Sequence, residues 1–161
     1  MARGPVFCIP ARGRSPHSPL IEGGQHSYVI DSIITINEIM YQPSDGDHEL
    51  QWVEITNQLA VDVDISEWSV RGDIQYEFPL GTIIPGDGYL VIGASPSALA
   101  NIGIDGSMGP FSGSLDAFRG TVELFNNSDR IMDRIAYSDR DAWPSGPDGS
   151  GATLTKINRH S

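Results

Sequence analysis

The sequence predicts an all-β protein, an antiparallel β-sandwich of about seven to nine strands. From Tyr28 onward, short runs rich in β-branched and aromatic residues are separated by turn residues, and the chain holds 18 glycines and 11 prolines. Such runs fit pleated, half-buried strands, whereas no stretch has the apolar spacing of a long helix. At 161 residues, the chain suits one domain with one hydrophobic core.

The predicted strands cover most of the chain after residue 32. They are 33–41 (IITINEIMY), 52–57 (WVEITN), 68–71, 74–78, 89–93, 121–126, 131–137 and 152–157. Between two of them, residues 126–129 (NNSD) predict a hairpin turn, because Asn and Asp side chains bond the nearby backbone and tolerate left-handed angles. Residues 95–103 predict a short helix, with Ser95 as its cap and Pro96 at its first position.

The glycine-rich segment 76–92 (YEFPLGTIIPGDGYLVI) predicts a corner between strands. A loop that binds phosphate needs a helix after it, because the helix N-terminus supplies free N–H groups. Here the strand-like run YLVIG follows instead. Residues 85–88 (PGDG) favour a chain reversal, since proline presets one turn angle and glycine accepts positive φ.

The first 27 residues differ from the rest of the chain in composition and charge. They are rich in Pro, Gly, Arg and Ser, so we predict a disordered tail at 1–27 and a folded domain at 28–161. The whole chain has a formal charge of −11, and the tail holds three arginines and one glutamate, so residues 28–161 carry −13. Such an acidic body repels phosphate backbones, and nucleic acid is therefore not an expected partner.

Cysteine content and hydropathy bound the class of protein further. Cys8 is the single cysteine, so an internal disulfide and a cysteine-based zinc site are excluded. No apolar run approaches the roughly 18 residues of a membrane span, so we predict no transmembrane segment. The start offers only PVFCI before Pro10, too short for the apolar core of a signal peptide, and no export signal is predicted.

Glu38 and Glu54 are the first candidates for chemistry. They lie in neighbouring predicted strands, INEIM and WVEIT, and would form a carboxylate pair if those strands place them opposite each other. Such a pair can share a proton or a metal and perform acid and base catalysis. The alternative is structural, because strand glutamates often point to solvent or bond the backbone at a sheet edge.

An acidic loop, PSDGDHEL, is the candidate metal site. It places Asp45, Asp47 and Glu49 around Gly46, and carboxylates in a flexible turn are ligands that calcium prefers. The loop lacks the spacing of an EF-hand, so solvated acidic side chains are the alternative reading. No other cofactor is predicted.

Histidine and tryptophan supply the remaining candidates. His48 alone is placed to act as a base, and no GxSxG, HExxH or Cys/His motif is present, so no catalytic set and no enzyme is predicted. Trp52, Trp68 and Trp143 could stack on sugars, although tryptophan on a sandwich strand is more often buried. We expect Trp68 to lie in the core and Trp143 to be partly exposed.

Six segments, in order, resemble the lamin-tail domain family. They are INEIMYQP, WVEITN, ISEWSV, YEFPLGTIIPGDGYLVI, TVELFNNSDRIMDRIAY and WPSGPDGSGATLTKI, and together they cover roughly residues 33–158. The resemblance implies an immunoglobulin-like sandwich. INEIMY and WPSGPDGSG resemble the bacterial branch, whose members are secreted or surface-associated. The positions that match the family's motif, with a structural role implied, are Asn37, Glu38, Glu54, Asn57, Trp68, Phe78, Pro79, Gly81 and Gly88.

The resemblance implies a noncatalytic binding or scaffold module that attaches to a protein or to a component of the cell surface. The alternative is a calcium-assisted carbohydrate-binding module that uses the acidic loop and Trp143. A hydrolase built on Glu38 and Glu54 is a third interpretation. The chain ends directly after its last predicted strand, where bacterial relatives usually continue, so we also expect it to be a fragment or a misassigned reading frame.

Overall fold

The computed structural model describes residues 32–44 and 46–138, together with the backbone of one strand on either side of them. The strands in chain order are β1 (Val6–Pro10), β2 (Ile34–Met40), β3 (Trp52–Asn57), β4 (Val63–Asp64), β5 (Ser69–Gly72), β6 (Ile74–Glu77), β7 (Ile83–Ile84), β8 (Tyr89–Gly93), β9 (Ser112–Gly113), β10 (Arg119–Phe125), β11 (Ile131–Ser138) and β12 (Thr153–Ile157). A 3-10 helix spans His48–Leu50, and helix α1 spans Pro96–Asn101.

Two five-stranded sheets form a sandwich. Sheet 1 has the order β1-β12-β2-β3-β8, and sheet 2 has the order β11-β10-β5-β6-β9. Strands β4 and β7 form a separate two-stranded ribbon. All paired strands are antiparallel except β1 and β12, which run parallel. The predicted all-β, immunoglobulin-like antiparallel sandwich is confirmed.

The hydrophobic core lies between the two sheets and is built from alternate strand positions, as the two-residue period of a strand requires. Sheet 1 contributes Ile34, Ile36, Ile39, Val53, Ile55 and Ile92, and sheet 2 contributes Val70, Ile74, Val122, Leu124, Ile135 and Tyr137. Phe78, Phe111 and Leu115 join them from the connecting segments. Each large apolar side chain that is fully buried contributes about 1.5–3 kcal/mol of transfer free energy.

A β-bulge in β2 changes which residues face the core. Ile36 pairs with Ile55 and Glu38 pairs with Glu54, so Asn37 is the extra residue between them. A bulge of this kind shifts the side-chain alternation by one position. Ile36 and Ile39 consequently both point into the core, and Glu38 lies on the outer face of sheet 1.

Local sequence patterns correctly predicted two strands, one hairpin turn and the short helix. The predicted bounds of β3 and β8 match the observed ones at both ends. In the β10–β11 turn, Asp129 has a φ of 58°, and Asn126 Oδ1 accepts hydrogen bonds from the N–H groups of Ser128 and Arg130. In helix α1, the Ser95 side chain accepts from Ala98 N and Pro96 is the first residue, as expected.

Other elements were not predicted. Strands β4, β7 and β9 have two residues each, too few to show an alternation. Strand β1 lies inside the segment 1–27 that was predicted to be disordered. The other residues of that segment lie outside the described part of the chain, so disorder there stays a prediction.

Of the two tryptophans in the described residues, Trp52 is the buried one, and the expectation for Trp68 is corrected. Trp68 is only partly buried and packs against the core, whereas Trp52 is 8% exposed. Trp52 does not face the core, because its neighbour Val53 does.

Helix α1 packs over the same outer face of sheet 1. Gly93 is the register partner of Trp52, and a Cβ on Gly93 would lie 2.2 Å from Leu99 Cδ1 of the helix. The glycine therefore lets the helix approach the sheet beside Trp52. Trp143 lies outside the described residues. No helix in the described part is long and apolar enough to cross a membrane.

Candidate functional site

Glu38 and Glu54 lie opposite each other on the outer face of sheet 1, the arrangement that would make them a carboxylate pair. Glu38 is 9% exposed and Glu54 is half-buried. Asn37 Nδ2 donates to Glu54 Oε1 over 2.8 Å, and Glu54 has a further partner as well. The bulge thus brings an amide and two carboxylates together on one surface.

The acidic loop begins a short helix. Asp47 Oδ1 accepts a hydrogen bond from Glu49 N over 2.9 Å and so caps the 3-10 helix, and both side chains are exposed. Asp45 lies outside the described residues. Among those that are described, no group of three or more His, Cys, Asp or Glu side chains could hold a metal. Calcium binding by Asp45, Asp47 and Glu49 therefore stays a prediction, as does a carbohydrate site that uses Trp143.

His48 lies beside a serine that sequence reasoning did not connect with it. His48 Nδ1 is 3.2 Å from Ser114 Oγ, and that hydroxyl is also 3.2 Å from Gln51 Oε1. A serine activated by histidine needs a third group that orients the imidazole. In the described part of the chain, no carboxylate bonds His48, so this contact has no further catalytic group beside it. The two residues are 66 positions apart, and no spacing motif joins them.

Asn57 ties the end of β3 to the β4–β7 ribbon. Its Nδ2 donates to the carbonyl oxygens of Val61, Ile84 and Pro85 over 2.8–3.1 Å, and its Oδ1 accepts from Leu59 N. The side chain is 1% exposed, and all of these bonds replace water that it has lost. These bonds are the contacts through which the structural role implied by the family resemblance would act.

The glycine-rich segment turns a corner. Gly88 N donates to Pro85 O over 2.9 Å, which closes the reversal between β7 and β8. Phe78 is buried in the core, and Gly81 has a φ of 83°, a left-handed angle in the turn that follows Pro79. These residues lie in the connections between strands β6, β7 and β8. Because a strand follows each turn, no helix N-terminus is present there to bind phosphate.

A buried tyrosine joins sheet 2 to the loop before β10. The Tyr137 hydroxyl donates to Asp116 O over 3.0 Å and lies 3.5 Å from Asp73 Oδ2. Gly120 is needed beside them, because a Cβ there would lie 2.4 Å from the tyrosine oxygen. Burial raises the pKa of Tyr137 well above its ordinary value of 10.0, and the carboxylates of Asp73 and Asp116 raise it further.

This raised pKa predicts a loss of stability at alkaline pH. The unfolded chain ionises its tyrosine near pH 10.0 and the folded chain does not, so the stabilising contribution is complete below that pH and falls as pH rises above it. Urea unfolding at several alkaline pH values should show this loss as a decline of the unfolding free energy with pH. Tyr137→Phe should make that decline less steep, and it should cost about 1 kcal/mol of stability at neutral pH. Tyr89→Phe, at an exposed position, is the control. An unchanged slope in Tyr137→Phe would assign the alkaline loss to other groups.

Lys156 lies on β12 of sheet 1, but within residues 32–44 and 46–138 the arginines all lie on sheet 2 or in its β10–β11 turn. They are Arg71, Arg119, Arg130 and Arg134. On β10 and β11 the inward positions are Val122, Leu124, Ile135 and Tyr137, so the exposed Arg119 and Arg134 belong to the outer face. We call this surface, defined by the four arginines, the arginine face. The strand prediction for 121–126 and 131–137 contained this alternation, but the sequence does not show that β5 lies next to β10.

Two of the four arginines on the arginine face form ion pairs within the protein. Arg134 Nε lies 3.3 Å from Glu123 Oε1, its register partner on β10. Arg71 forms an ion pair with Asp129 and lies over the Phe125 ring, 4.4 Å from its centroid. Arg119 and Arg130 form no ion pair within the described part of the chain.

Comparison with known protein families supports the sandwich fold and the family resemblance of the sequence segments. The sequence model of the Lamin Tail Domain matches residues 31–139, more than half of the 161-residue chain. A search of curated proteins finds no match. The matched region runs from just before β2 to the end of β11 and contains the bulge, the glycine corner and the arginine face. The chain belongs to the lamin-tail domain family.

Proposed function

We propose that this chain is a noncatalytic binding module that attaches to an acidic protein partner through the arginine face. The observation that carries the proposal is the segregation of charge. The chain has a formal charge of −11, yet every arginine within residues 32–44 and 46–138 lies on or beside one sheet. A positive surface on an otherwise acidic protein attracts acidic partners and disfavours other orientations.

The chemistry of arginine supports this use of the face. A guanidinium presents a planar fork of donors that can bind a carboxylate through two parallel hydrogen bonds. Arg119 and Arg130 are exposed and make no internal ion pair in the described part, so they can offer these donors to a partner. Arg71 is held in place by Asp129 and Phe125, which lowers the entropy lost when it binds.

The surroundings of the face support protein recognition. Between the arginines, the outer positions of β10 and β11 hold Thr121 and Ala136, which are register partners with short side chains. The short side chains at these two positions leave room for another backbone to approach. Arginine is also among the residues that contribute most to protein interfaces. A noncatalytic role agrees with the His48–Ser114 contact, which lacks an orienting carboxylate in the described residues. The resemblance of INEIMY and WPSGPDGSG to the bacterial branch of the family supports a secreted or surface location for this attachment.

The proposal predicts that binding depends on the two unpaired arginines. A pull-down from the producing cell's envelope extract, at low and at moderate salt, should enrich a partner with the wild-type chain. The double variant Arg119→Ala/Arg130→Ala should reduce that enrichment by roughly tenfold or more, because each charge-assisted hydrogen bond contributes about 1.5–3 kcal/mol.

The matched control removes two exposed acidic residues elsewhere, Asp105→Ala/Glu49→Ala. It should retain the partner, and both variants should melt at the wild-type temperature. Equal enrichment with both double variants, or no enrichment at all, would contradict attachment through the arginine face.

A further inference from the structure

Exposed apolar side chains are concentrated at one end of the sandwich, where β2 begins, β3 ends and the β4–β7 ribbon is attached. In the described part of the chain seven large apolar side chains are exposed, and five of them belong to this end: Ile33, Val61, Leu80, Ile83 and Tyr89. Gln58 N donates to Ile33 O, and Tyr89 is the register partner of Thr56, so both flank the end of β3. Single exposed apolar residues are common, whereas a concentration of them marks an interaction surface.

The centre of this end is the outer face of the β4–β7 ribbon. Val63 pairs with Ile84, and Asp64 pairs with Ile83. Ile84 is buried and Ile83 is 51% exposed, so Ile83 and Asp64 share the outer face. Leu80, in the turn before β7, is 78% exposed. We call the exposed apolar residues of the ribbon and its turns, together with the carboxylates beside them, the ribbon patch: Val61, Leu80, Ile83, Asp62 and Asp64.

Hydrogen bonds join the parts of the ribbon patch to one another. Ser66 N and Oγ both donate to Asp64 Oδ1, and Gly81 N donates to Ser66 Oγ, so the turn before β7 lies beside Asp64. Near the other end of the ribbon, Gly86 N donates to Asp62 Oδ1. A surface that is already ordered loses little conformational entropy when it binds a partner.

The charge around these apolar residues has one sign. Segments 58–67 and 79–89, which build this end, contain no lysine, arginine or histidine, and their acidic residues are Asp62, Asp64, Glu67 and Asp87. All of these acidic side chains are exposed. An apolar centre with a polar rim is typical of protein interfaces. The carboxylates at the rim repel the anionic headgroups of a membrane surface, whereas they attract lysine and arginine.

We propose that the ribbon patch binds a protein segment that presents apolar side chains between lysines or arginines. The apolar side chains of the segment cover Val61, Leu80 and Ile83, and its cations lie beside Asp62 and Asp64. Burial of apolar surface supplies the affinity, while the exposed charges mainly set the orientation and the rate of association. The site goes beyond attachment through the arginine face and does not depend on it. Because the two surfaces have opposite charge, one module can bind an acidic and a basic partner.

Fluorescence anisotropy with synthetic peptides tests the proposal. The probe is a labelled peptide in which leucine and valine alternate with lysine. One comparison peptide has glutamate in place of lysine, and the other has serine in place of leucine and valine. The wild-type chain should bind the probe at least roughly tenfold more tightly than either, because the patch offers both apolar contact and negative charge. If the serine peptide binds as tightly as the probe, the attraction is general to an acidic protein and the proposal is wrong.

Two pairs of exposed apolar residues give matched variants. Leu80→Ser/Ile83→Ser should weaken binding of the probe by roughly tenfold or more, since two apolar contacts are lost. Ile102→Ser/Phe118→Ser changes exposed apolar residues outside the patch and should bind the probe as the wild type does. Both variants should melt at the wild-type temperature, because the positions are on the surface. Equal affinities in the two variants would contradict the ribbon patch as the site.

The charge of the patch is tested separately. Asp62→Asn/Asp64→Asn keeps the acceptor oxygens that bond Gly86 and Ser66, so the ribbon should stay intact. Salt weakens attraction between exposed charges, and this variant should therefore bind the probe with an affinity that depends less on salt than that of the wild type. An unchanged salt dependence would show that these carboxylates do not face the segment, and the proposed occupant would be wrong.

Hydrogen exchange locates the bound probe. Exchange of the amide groups in segments 58–67 and 79–89 should slow when the probe is bound, and exchange in 119–138 should not change. Protection of 119–138 alone would place the peptide on sheet 2 and overturn the proposal.

A second copy of the chain is the competing occupant, because its arginine face is basic. Sedimentation equilibrium should show that the wild-type chain is a monomer at the concentrations used for peptide binding. A salt-sensitive dimer that Leu80→Ser/Ile83→Ser abolishes would make a second copy the occupant and overturn the proposal.

Discussion

Replacing Asp133 by alanine should lower the free energy of unfolding by about 3–5 kcal/mol, because one buried carboxylate holds the two sheets together. Asp133 is 3% exposed on β11 of sheet 2. Its Oδ2 accepts a hydrogen bond from Ile36 N of sheet 1 over 2.8 Å, and its Oδ1 accepts from Arg134 N over 2.9 Å. Alanine leaves both donors without this acceptor and opens a cavity. The melting temperature should fall by roughly 10–20 °C.

The variant Asp133→Asn separates hydrogen bonding from volume. An amide has the same shape but only one acceptor oxygen, so its NH2 group would face one of the two N–H donors. The expected loss is roughly 2 kcal/mol, intermediate between the wild type and alanine. Urea unfolding with a constant m-value measures both variants, and Asp105→Ala, at an exposed position, should change stability by less than about 0.5 kcal/mol. A loss below about 1 kcal/mol in Asp133→Ala would show that the sheets are held by apolar packing alone.

Asp133 also shows how far the sequence could be read. The alternation in IMDRIAY places Asp133 on the same face as Ile135 and Tyr137, and all three are buried. That register was a signal that a carboxylate faces the core. Its partner could not be found in this way. Ile36 lies 97 residues away, and its N–H donates to the side chain of Asp133. The bulge at Asn37, which also places Glu38 opposite Glu54, leaves no pattern in a single sequence.

The tryptophans show a different limit. Apolar size predicts burial, and it does so for Trp52, but it does not predict which side of a sheet is covered. Trp52 is buried beside a six-residue helix that packs over Gly93. The sequence predicted that helix from Ser95 and Pro96 without predicting its packing site. Local chemistry determines caps, turns and strand alternation, whereas layer order and buried polar contacts depend on pairing between distant segments.

Gln51 carries the second large expected effect, because its amide forms four hydrogen bonds in a buried position. It is 1% exposed, and its Nε2 donates to Tyr41 O and Leu115 O, each over 2.8 Å. Its Oε1 accepts from Leu115 N and from the hydroxyl of Ser114. The residue thereby joins the start of β3 to the loop that delivers Leu115 to the core. Gln51→Leu keeps the volume and removes every bond, so we expect a loss of about 3–4 kcal/mol.

The variant Gln51→Glu gives the sharper test, because it replaces the donating NH2 group by an acceptor oxygen and keeps Oε1 as an acceptor. Its second oxygen would face the carbonyl oxygens of Tyr41 and Leu115, so the ionised form should be destabilised at neutral pH. A protonated carboxyl can donate again, and burial raises its pKa, so stability relative to the wild type should recover as pH falls. Gln75→Leu, an exposed glutamine on β6, is the matched control. If Gln51→Glu is as stable as the wild type at neutral pH, the hydrogen bonds of the Gln51 amide do not stabilise the loop that contains Leu115. Apolar packing of Leu115 in the core would then be sufficient to position that loop.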